Sequence, residues 1–392
     1  MRIISAQEFR ANAKVLLEGK KIGAEQVDDV VNEIIAAIRA EGDTAVMRYA
    51  SRFEKKAPEK FEVPLDLANA AWESLQEAEP ELASALELAA DHIQRFAELQ
   101  KKQFSDFETE ITPGLFTGQR VIPIDRAAIY APGGRFPLIS SVLMGLIPAA
   151  VAGVKEKLLV SPPCTTIGLP DRRILAAAHL AGADRIFSLG GAQAIAALAL
   201  GTESIPRVDL IVGPGNKYVA AAKRILYGEV GIDFVAGPTD VLMITDDADM
   251  STEASDLIAA DMIAQAEHDP DARARALVPD RKAAEQIEQA LEKQLGTLPP
   301  ANTAKAIAKA IAKATAESSL ETGGIIIVYR SKEEAINIAN EIAPEHLELH
   351  VSSPEEWTGK LRNYGSIFIG ALAAEVLGDY SAGINHTLPT SG

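Results

Sequence analysis

Six histidines occur in the chain, and four of them, His268, His346, His350 and His386, fall after residue 260. Imidazole changes charge near neutral pH and, when neutral, ligates metals. In Asp261-Met262-Ile263-Ala264-Gln265-Ala266-Glu267-His268, Gln265 and His268 stand three apart at the end of a predicted helix and share one face. An amide oxygen and an imidazole nitrogen so placed can fill two positions around a divalent cation, with a distant carboxylate or histidine supplying the rest. The same spacing equally describes a capping or surface histidine. In Pro344-Glu345-His346-Leu347-Glu348-Leu349-His350 a carboxylate and an imidazole are adjacent. There His346 could take a proton from an alcohol while Glu345 activates water or tunes the base; a structural histidine at a strand start is the other reading. His350, two strand positions before Ser352-Ser353, reads as a solvated edge residue. The segment from Gly378-Asp379-Tyr380 to Asn385-His386-Thr387 puts a carboxylate and an imidazole in a glycine-bounded loop, where Asp379 is a third metal-ligand candidate or an ordinary capping residue.

Three further segments carry glycine where a ligand could approach the backbone: Tyr130-Ala131-Pro132-Gly133-Gly134, Leu189-Gly190-Gly191-Ala192-Gln193 and Val212-Gly213-Pro214-Gly215-Asn216. Each follows a short apolar run and precedes an Ala-rich helix, the place where an open parallel sheet binds ligands. Tyr130, Gln193 and Asn216 add an aromatic ring and two amides to that edge, which suits a nucleotide, although strand-to-helix turns also need glycine for their own geometry. No Gly-x-Gly-x-x-Gly fingerprint occurs, so a dinucleotide would bind through a modified grip.

The elements that must position these residues follow from the apolar rhythm. From about Ala24 to Gln103 the spacing is helical, interrupted at Gly42 and Pro80. After Pro123, short strands alternate with helices: strands near 127–130, 157–160, 186–189 and 210–212, then a second series near 241–245, 276–278, 325–328 and 366–369. Repeated strand–helix units imply parallel sheets covered on both faces. The expected fold class is α/β, with two Rossmann-like parallel-sheet domains preceded by an α-helical N-terminal region. The expected boundaries are an arm at 1–23, a larger domain from 24–129 with 240–388 that carries the metal site, an inserted domain at 130–239, and the start of a tail at 389–392.

The 392 residues carry 38 Lys plus Arg against 55 Asp plus Glu, a formal charge of −17. That balance opposes binding to polyanions, so no nucleic-acid partner is expected. One cysteine, Cys164, excludes an intrachain disulfide and a cysteine-based metal cluster, and points to a reducing, cytoplasmic setting. The N-terminus lacks a signal-peptide pattern. The uncharged run from Phe136 to Val154 is interrupted by Pro137, Pro148, Gly145 and Gly153 and reads as a buried helix beside a sheet rather than a membrane span.

Taken in order, Ile129-Tyr130-Ala131-Pro132-Gly133-Gly134, Ser140-Ser141-Val142-Leu143-Met144, Gly190-Gly191-Ala192-Gln193-Ala194-Ile195-Ala196, Val212-Gly213-Pro214-Gly215-Asn216, Ala236-Gly237-Pro238-Thr239, Gln265-Ala266-Glu267-His268, Ala343-Pro344-Glu345-His346-Leu347 and the Gly378 to Thr390 segment resemble the histidinol dehydrogenase family through nearly the whole chain. The resemblance implies an NAD- and zinc-dependent homodimeric enzyme that carries an amino alcohol, L-histidinol, through an aldehyde to the acid by successive hydride transfers. By that resemblance Gln265, His268 and Asp379 hold zinc, His346 is the general base, and Glu345 activates water for the second oxidation. Tyr130, Gln193 and Asn216 contact NAD, and Thr239, Gln265, His268, His346 and Asp379 bind substrate.

Two departures qualify the resemblance. The family continues past the position of Gly392 into a tail that crosses to the partner subunit and supplies a fourth zinc ligand, a histidine, with a glutamate for the substrate imidazole. The expectation here is an incompletely represented chain, the rival being an open site of other specificity or a non-catalytic binding protein on the same fold. Arg135-Phe136 and Thr239-Asp240 also depart from the family pattern. Arg135 could grip an anion bidentately, which would suit a paralogue that oxidises an anionic alcohol such as a sulfonated diol, or it could be a plain surface arginine.

Overall fold

Strands that are apolar along their whole length, such as Ala127-Ala128-Ile129-Tyr130, have no face to present to water and must lie inside a sheet covered on both sides. A computed structural model of the chain bears this out. It describes residues 1–17, 24–54, 56–133, 137–164, 167–235, 237–297 and 304–388, with the side chains of 24–25 and 304–311 excepted. Two compact units result: Met1–Ile22 with Ala236–Leu377 and Leu388–Gly392, and Gly23–Val235 with Gly378–Thr387.

Along the chain, β1 (Arg2–Ser5) and α1 (Ala6–Leu17) precede the helices α2 (Ala24–Glu41) and α3 (Asp43–Phe53). The short β2 (Glu62–Val63), α4 (Leu65–Ala78), α5 (Pro80–Lys101) and the pair β3 (Phe107–Thr112) and β4 (Leu115–Gln119) follow. The first strand–helix series is β5 (Arg126–Tyr130), α6 (Ile139–Ala152), β6 (Glu156–Ser161), α7 (Arg172–Leu180), β7 (Arg185–Ser188), α8 (Gly191–Leu200), β8 (Leu210–Val212), α9 (Lys217–Leu226) and β9 (Gly231–Ile232). The second is β10 (Asp240–Thr245), α10 (Thr252–Ala266), β11 (Arg273–Val278), α11 (Arg281–Thr297), α12 (Ala304–Thr322), β12 (Ile325–Val328), α13 (Lys332–Ile342), β13 (His346–His350), α14 (Glu355–Thr358), β14 (Ser366–Ile369) and α15 (Glu375–Tyr380).

In the Gly23–Val235 unit the sheet order is β2-β7-β6-β5-β8-β9, with β2 antiparallel to β7 and the rest parallel. The five parallel strands therefore run third-second-first-fourth-fifth, the doubly wound order, with its switch point between β5 and β8. In the other unit, β12-β11-β10-β13-β14 repeat that order, and β1 adds a parallel strand beside β12. Each sheet separates two apolar layers. Ala128, Leu158 and Phe187 face α2, α8 and α9, whereas Ile129, Leu159 and Ile186 face α4 to α7. In the second sheet, Val241 and Met243 face α10 to α12, whereas Leu242, Leu347 and Leu349 face α1 and α13.

The expected domain boundaries need correction. Residues 24–129 join the 130–235 segment rather than 240–388, because α2 to α5 form the outer layers of the sheet built on β5. The arm at 1–23 is not free-standing where it is described: β1 extends the sheet, in register Arg2↔Ile325 to Ser5↔Val328. The segment 378–387 returns to the Gly23–Val235 unit, where Asn385 Nδ2 donates to the Met144 carbonyl at 3.0 Å and His386 Nε2 lies 3.1 Å from Ser140 Oγ. The run from Phe136 contains α6, buried as expected, and among the described residues no helix is long and apolar enough to cross a membrane. Residues 389–392 lie outside the described residues, as do Arg135 and Phe136.

Candidate active site

The three glycine turns of the Gly23–Val235 unit line one cavity of about 370 Å³ at the carboxyl edge of its sheet, with Tyr130, Gly190, Gly191, Gln193 and Asn216 in its wall. Tyr130 ends β5 at the switch point and is 3% exposed. Its hydroxyl accepts the Gly191 N–H at 3.1 Å. Burial pushes the phenol up to about 12, so it is protonated at neutral pH and can donate. Asn216 Oδ1 caps α9, accepting from Tyr218 N at 3.0 Å and Val219 N at 3.2 Å; its amide nitrogen is therefore the atom it can offer a ligand. Gly213 has φ 113, and a Cβ there would stand 2.1 Å from the Tyr130 carbonyl oxygen, so only glycine fits. Buried Lys223 donates to the Gly213 carbonyl at 2.9 Å and pairs with Asp233, whose other oxygen accepts the Gly213 N–H at 2.7 Å. The turn beside Tyr130 is thus clamped from both sides. The cavity also includes Glu54, which carries no glycine-turn signature in the sequence.

The other unit gathers its candidates at the amino ends of β10 and β13, the opposite edge from the one where doubly wound sheets usually bind ligands. The cause is a buried polar chain. Arg275, 1% exposed, donates from Nη1 to Asp240 Oδ2 at 2.9 Å, and Asp240 Oδ1 accepts the Glu345 N–H at 2.8 Å. Burial pulls the Arg275 guanidinium below its ordinary range while Asp240 opposes that pull. Ala343, at φ 48, ends α13 in the left-handed region and turns the chain into Pro344-Glu345-His346. Removing one partner of a buried pair strands the other. Asp240→Ala is accordingly expected to cost about 3–5 kcal/mol in urea unfolding of this unit, and an unchanged midpoint would contradict the anchoring role.

On that anchor, Glu345 Oε2 accepts the Thr239 hydroxyl at 2.5 Å and the Asp240 N–H at 3.3 Å. His346, 6% exposed, has Nδ1 at 3.5 Å from Glu375 Oε2. Gln265, 1% exposed near the end of α10, sits between these groups. In the amide orientation that satisfies both ends, its nitrogen donates to Glu375 Oε1 and Oε2 at 2.5 and 2.9 Å and its oxygen accepts from Asp240 N at 3.1 Å, with Thr239 Oγ1, whose proton goes to Glu345, 2.8 Å away. Glu375, the first residue of α15 and 3% exposed, thus touches both Gln265 and His346. Nothing in its sequence context singles it out. His268 lies two residues beyond the end of α10 and is exposed, and half-buried Asp379 belongs to α15 in its Gly378–Thr387 part. The structure therefore brings Thr239, Gln265, Glu345 and His346 together in one unit, and Tyr130, Gln193 and Asn216 in the other.

The reading of His350 as a solvated residue is wrong. β13 is internal, between β10 and β14, and the His350 side chain is only 6% exposed, with Nε2 at 3.1 Å from Glu348 Oε2. His346, Glu348 and His350 alternate onto the face shared with Val241 and Met243. Among the described residues, Asp261, Glu348 and His350 bring potential ligand atoms within 4.8 Å of one another, a cluster the sequence does not announce. Burial, then the neighbouring Glu348, raises the Asp261 carboxyl above the usual carboxylate range. The Glu375 N–H donates to Glu348 Oε1 at 2.8 Å, joining this cluster to the His346 side of the network.

Comparisons with known proteins show the family. The family model for histidinol dehydrogenase matches residues 17–392. A histidinol dehydrogenase of Cupriavidus pinatubonensis is 43% identical over 370 residues, covering 94% of this chain and 79% of that protein. One from Methylococcus capsulatus is 43% identical over 388 residues, covering 98% and 84%. The crystal structure of histidinol dehydrogenase from Elizabethkingia anophelis matches with a TM-score of 0.86 at 37% identity, over 97% of this chain and 83% of that one. With the doubly wound sheets, the Glu345–His346 pair and these likenesses in place, the chain belongs to the histidinol dehydrogenase family and is a dehydrogenase.

Proposed function

We propose that this chain oxidises L-histidinol through the aldehyde to L-histidine in the cytoplasm, as a homodimer that uses NAD and zinc. The observation that carries the reading is that a buried, Thr239-bound carboxylate, Glu345, directly precedes a buried imidazole, His346, in the same unit as buried Gln265. The donor set of Gln265, His268 and Asp379 is an amide oxygen, an imidazole nitrogen and a carboxylate, which suits zinc. Gln265 can present its oxygen once the amide turns from the orientation in which Asp240 N holds it. When bound, zinc supplies a Lewis acid that orients the substrate amine and hydroxyl, and NAD supplies the hydride acceptor, at the cavity formed by Tyr130, Gln193 and Asn216.

The residues divide the chemistry. In the first oxidation His346 accepts the hydroxyl proton as the carbon loses hydride, and Glu375, at 3.5 Å from Nδ1, holds the ring in place. The aldehyde must be hydrated before a second hydride can leave. Glu345 takes a proton from the attacking water, with one of its oxygens fixed by the Thr239 hydroxyl. His346, having released its first proton to solvent, then takes the hydrate's hydroxyl proton as the second hydride departs. One polar cluster can thereby serve both steps.

The dimer reading is supported by β3 and β4, an antiparallel pair exposed along its whole length. Phe107, Ile111, Leu115 and Phe116 are 53–63% exposed there, an apolar surface that suits cover by a second copy. The test of function is to follow NADH absorbance with L-histidinol. The expected result is two NADH formed per histidinol consumed. Rapid NADH formation with a sulfonated diol and none with histidinol would overturn the substrate assignment.

A further inference from the structure

Glu54 follows the last residue of α3 and lines the nucleotide cavity beside Gly190 and Gln193. Its Oε1 accepts the Gly190 N–H at 2.8 Å, and the Gln193 side chain lies against the same carboxyl. The carboxylate thus occupies the N-terminus of α8, the spot where a pyrophosphate rests in the common dinucleotide grip. Its Oε2 is buried and has no hydrogen-bond partner among the described residues. A buried acceptor left without a donor is costly, and a ligand hydroxyl would complete it. Val30, Ile34 and Phe53 line the same cavity and offer an apolar surface for a purine ring next to Glu54. No lysine or arginine lines it among the described residues, so nothing there compensates an added phosphate.

We propose that Glu54 accepts the hydroxyls of the adenosine ribose of the dinucleotide and thereby selects NAD over its 2′-phosphorylated analogue, NADP. The inference rests on the NAD reading above and adds the residue that sets cofactor choice. A carboxylate binds a ribose diol through charge-assisted hydrogen bonds and repels a phosphate at the same position. Burial also pushes the Glu54 carboxyl up to about 7. NAD affinity should therefore be constant above that pH and weaken as pH falls below it, because bound ribose favours the ionised form and lowers its pKa in the complex.

Calorimetric titration of the zinc-loaded full chain with NAD and, separately, with NADP tests this. Wild type is expected to prefer NAD. Glu54→Gln should weaken NAD binding about ten- to hundredfold, reduce the NAD preference by a similar factor, and abolish the loss of affinity below neutral pH. Glu54→Asp, which keeps the charge but shortens its reach, should weaken NAD while still excluding NADP, and it decides the matter if the Gln variant does not fold. Unchanged NAD affinity and preference in the folded variants would overturn the role of Glu54 while leaving the cofactor reading intact. A wild-type protein that binds neither dinucleotide would sink that reading, and this inference with it.

Discussion

With His346 as the proposed general base, His346→Ala is expected to lower turnover of L-histidinol about 10²–10⁴-fold, the range that a positioned general base contributes. The size follows from the setting. His346 opens an internal strand, is 6% exposed, and lies against both Glu375, 3.5 Å from Nδ1, and the Phe368 ring, whose centroid is 6.1 Å away. An imidazole so confined loses little freedom on meeting the substrate, so its removal takes away both the acceptor and its alignment. The loss should appear in kcat, with KM for histidinol and NAD affinity changed much less. A variant with near-wild-type kcat would show that the proton leaves by another route.

Glu345→Gln should separate the two oxidations. The side chain keeps its shape, and the Thr239 hydroxyl and Asp240 N–H can still donate to the amide oxygen, so the anchor through Asp240 to Arg275 is preserved. The amide, however, cannot take a proton from water. Oxidation of the alcohol should therefore survive, whereas oxidation of added histidinal should fall about 10²–10⁴-fold. NADH formed per histidinol should drop from two toward one as the aldehyde escapes. Equal losses in both steps would mean that Glu345 acts by placing His346, not by activating water.

How much of this was legible in the sequence depends on what each residue type signals. The parallel strands were readable because strands buried on both faces are apolar throughout, as in β5 and β12. The destination of α2 to α5 was not, because an amphipathic helix shows that it has a buried face but not which sheet receives it. The exposed β3 and β4 pair was missed because a strand with no buried face lacks the core pattern that marks the others. Glu54 and Glu375 stand at the ends of helices, where carboxylates are common caps, and only the folded chain shows Glu54 against the N-terminus of α8 and Glu375 against His346. His350 was misplaced because its neighbour Ser352-Ser353 is polar, while its burial comes from β10 and β14, distant in sequence.

The proposal at the centre of this reading is that Gln265, His268 and Asp379 hold the metal while the imidazole of His346 moves protons. Zinc content of the purified wild type and of the folded His268→Ala and His346→Ala variants, read by elemental analysis without reference to turnover, separates these roles. The account predicts bound zinc in the wild type and in His346→Ala, and its loss in His268→Ala. Zinc retained by His268→Ala, or lost on removing His346, would contradict it.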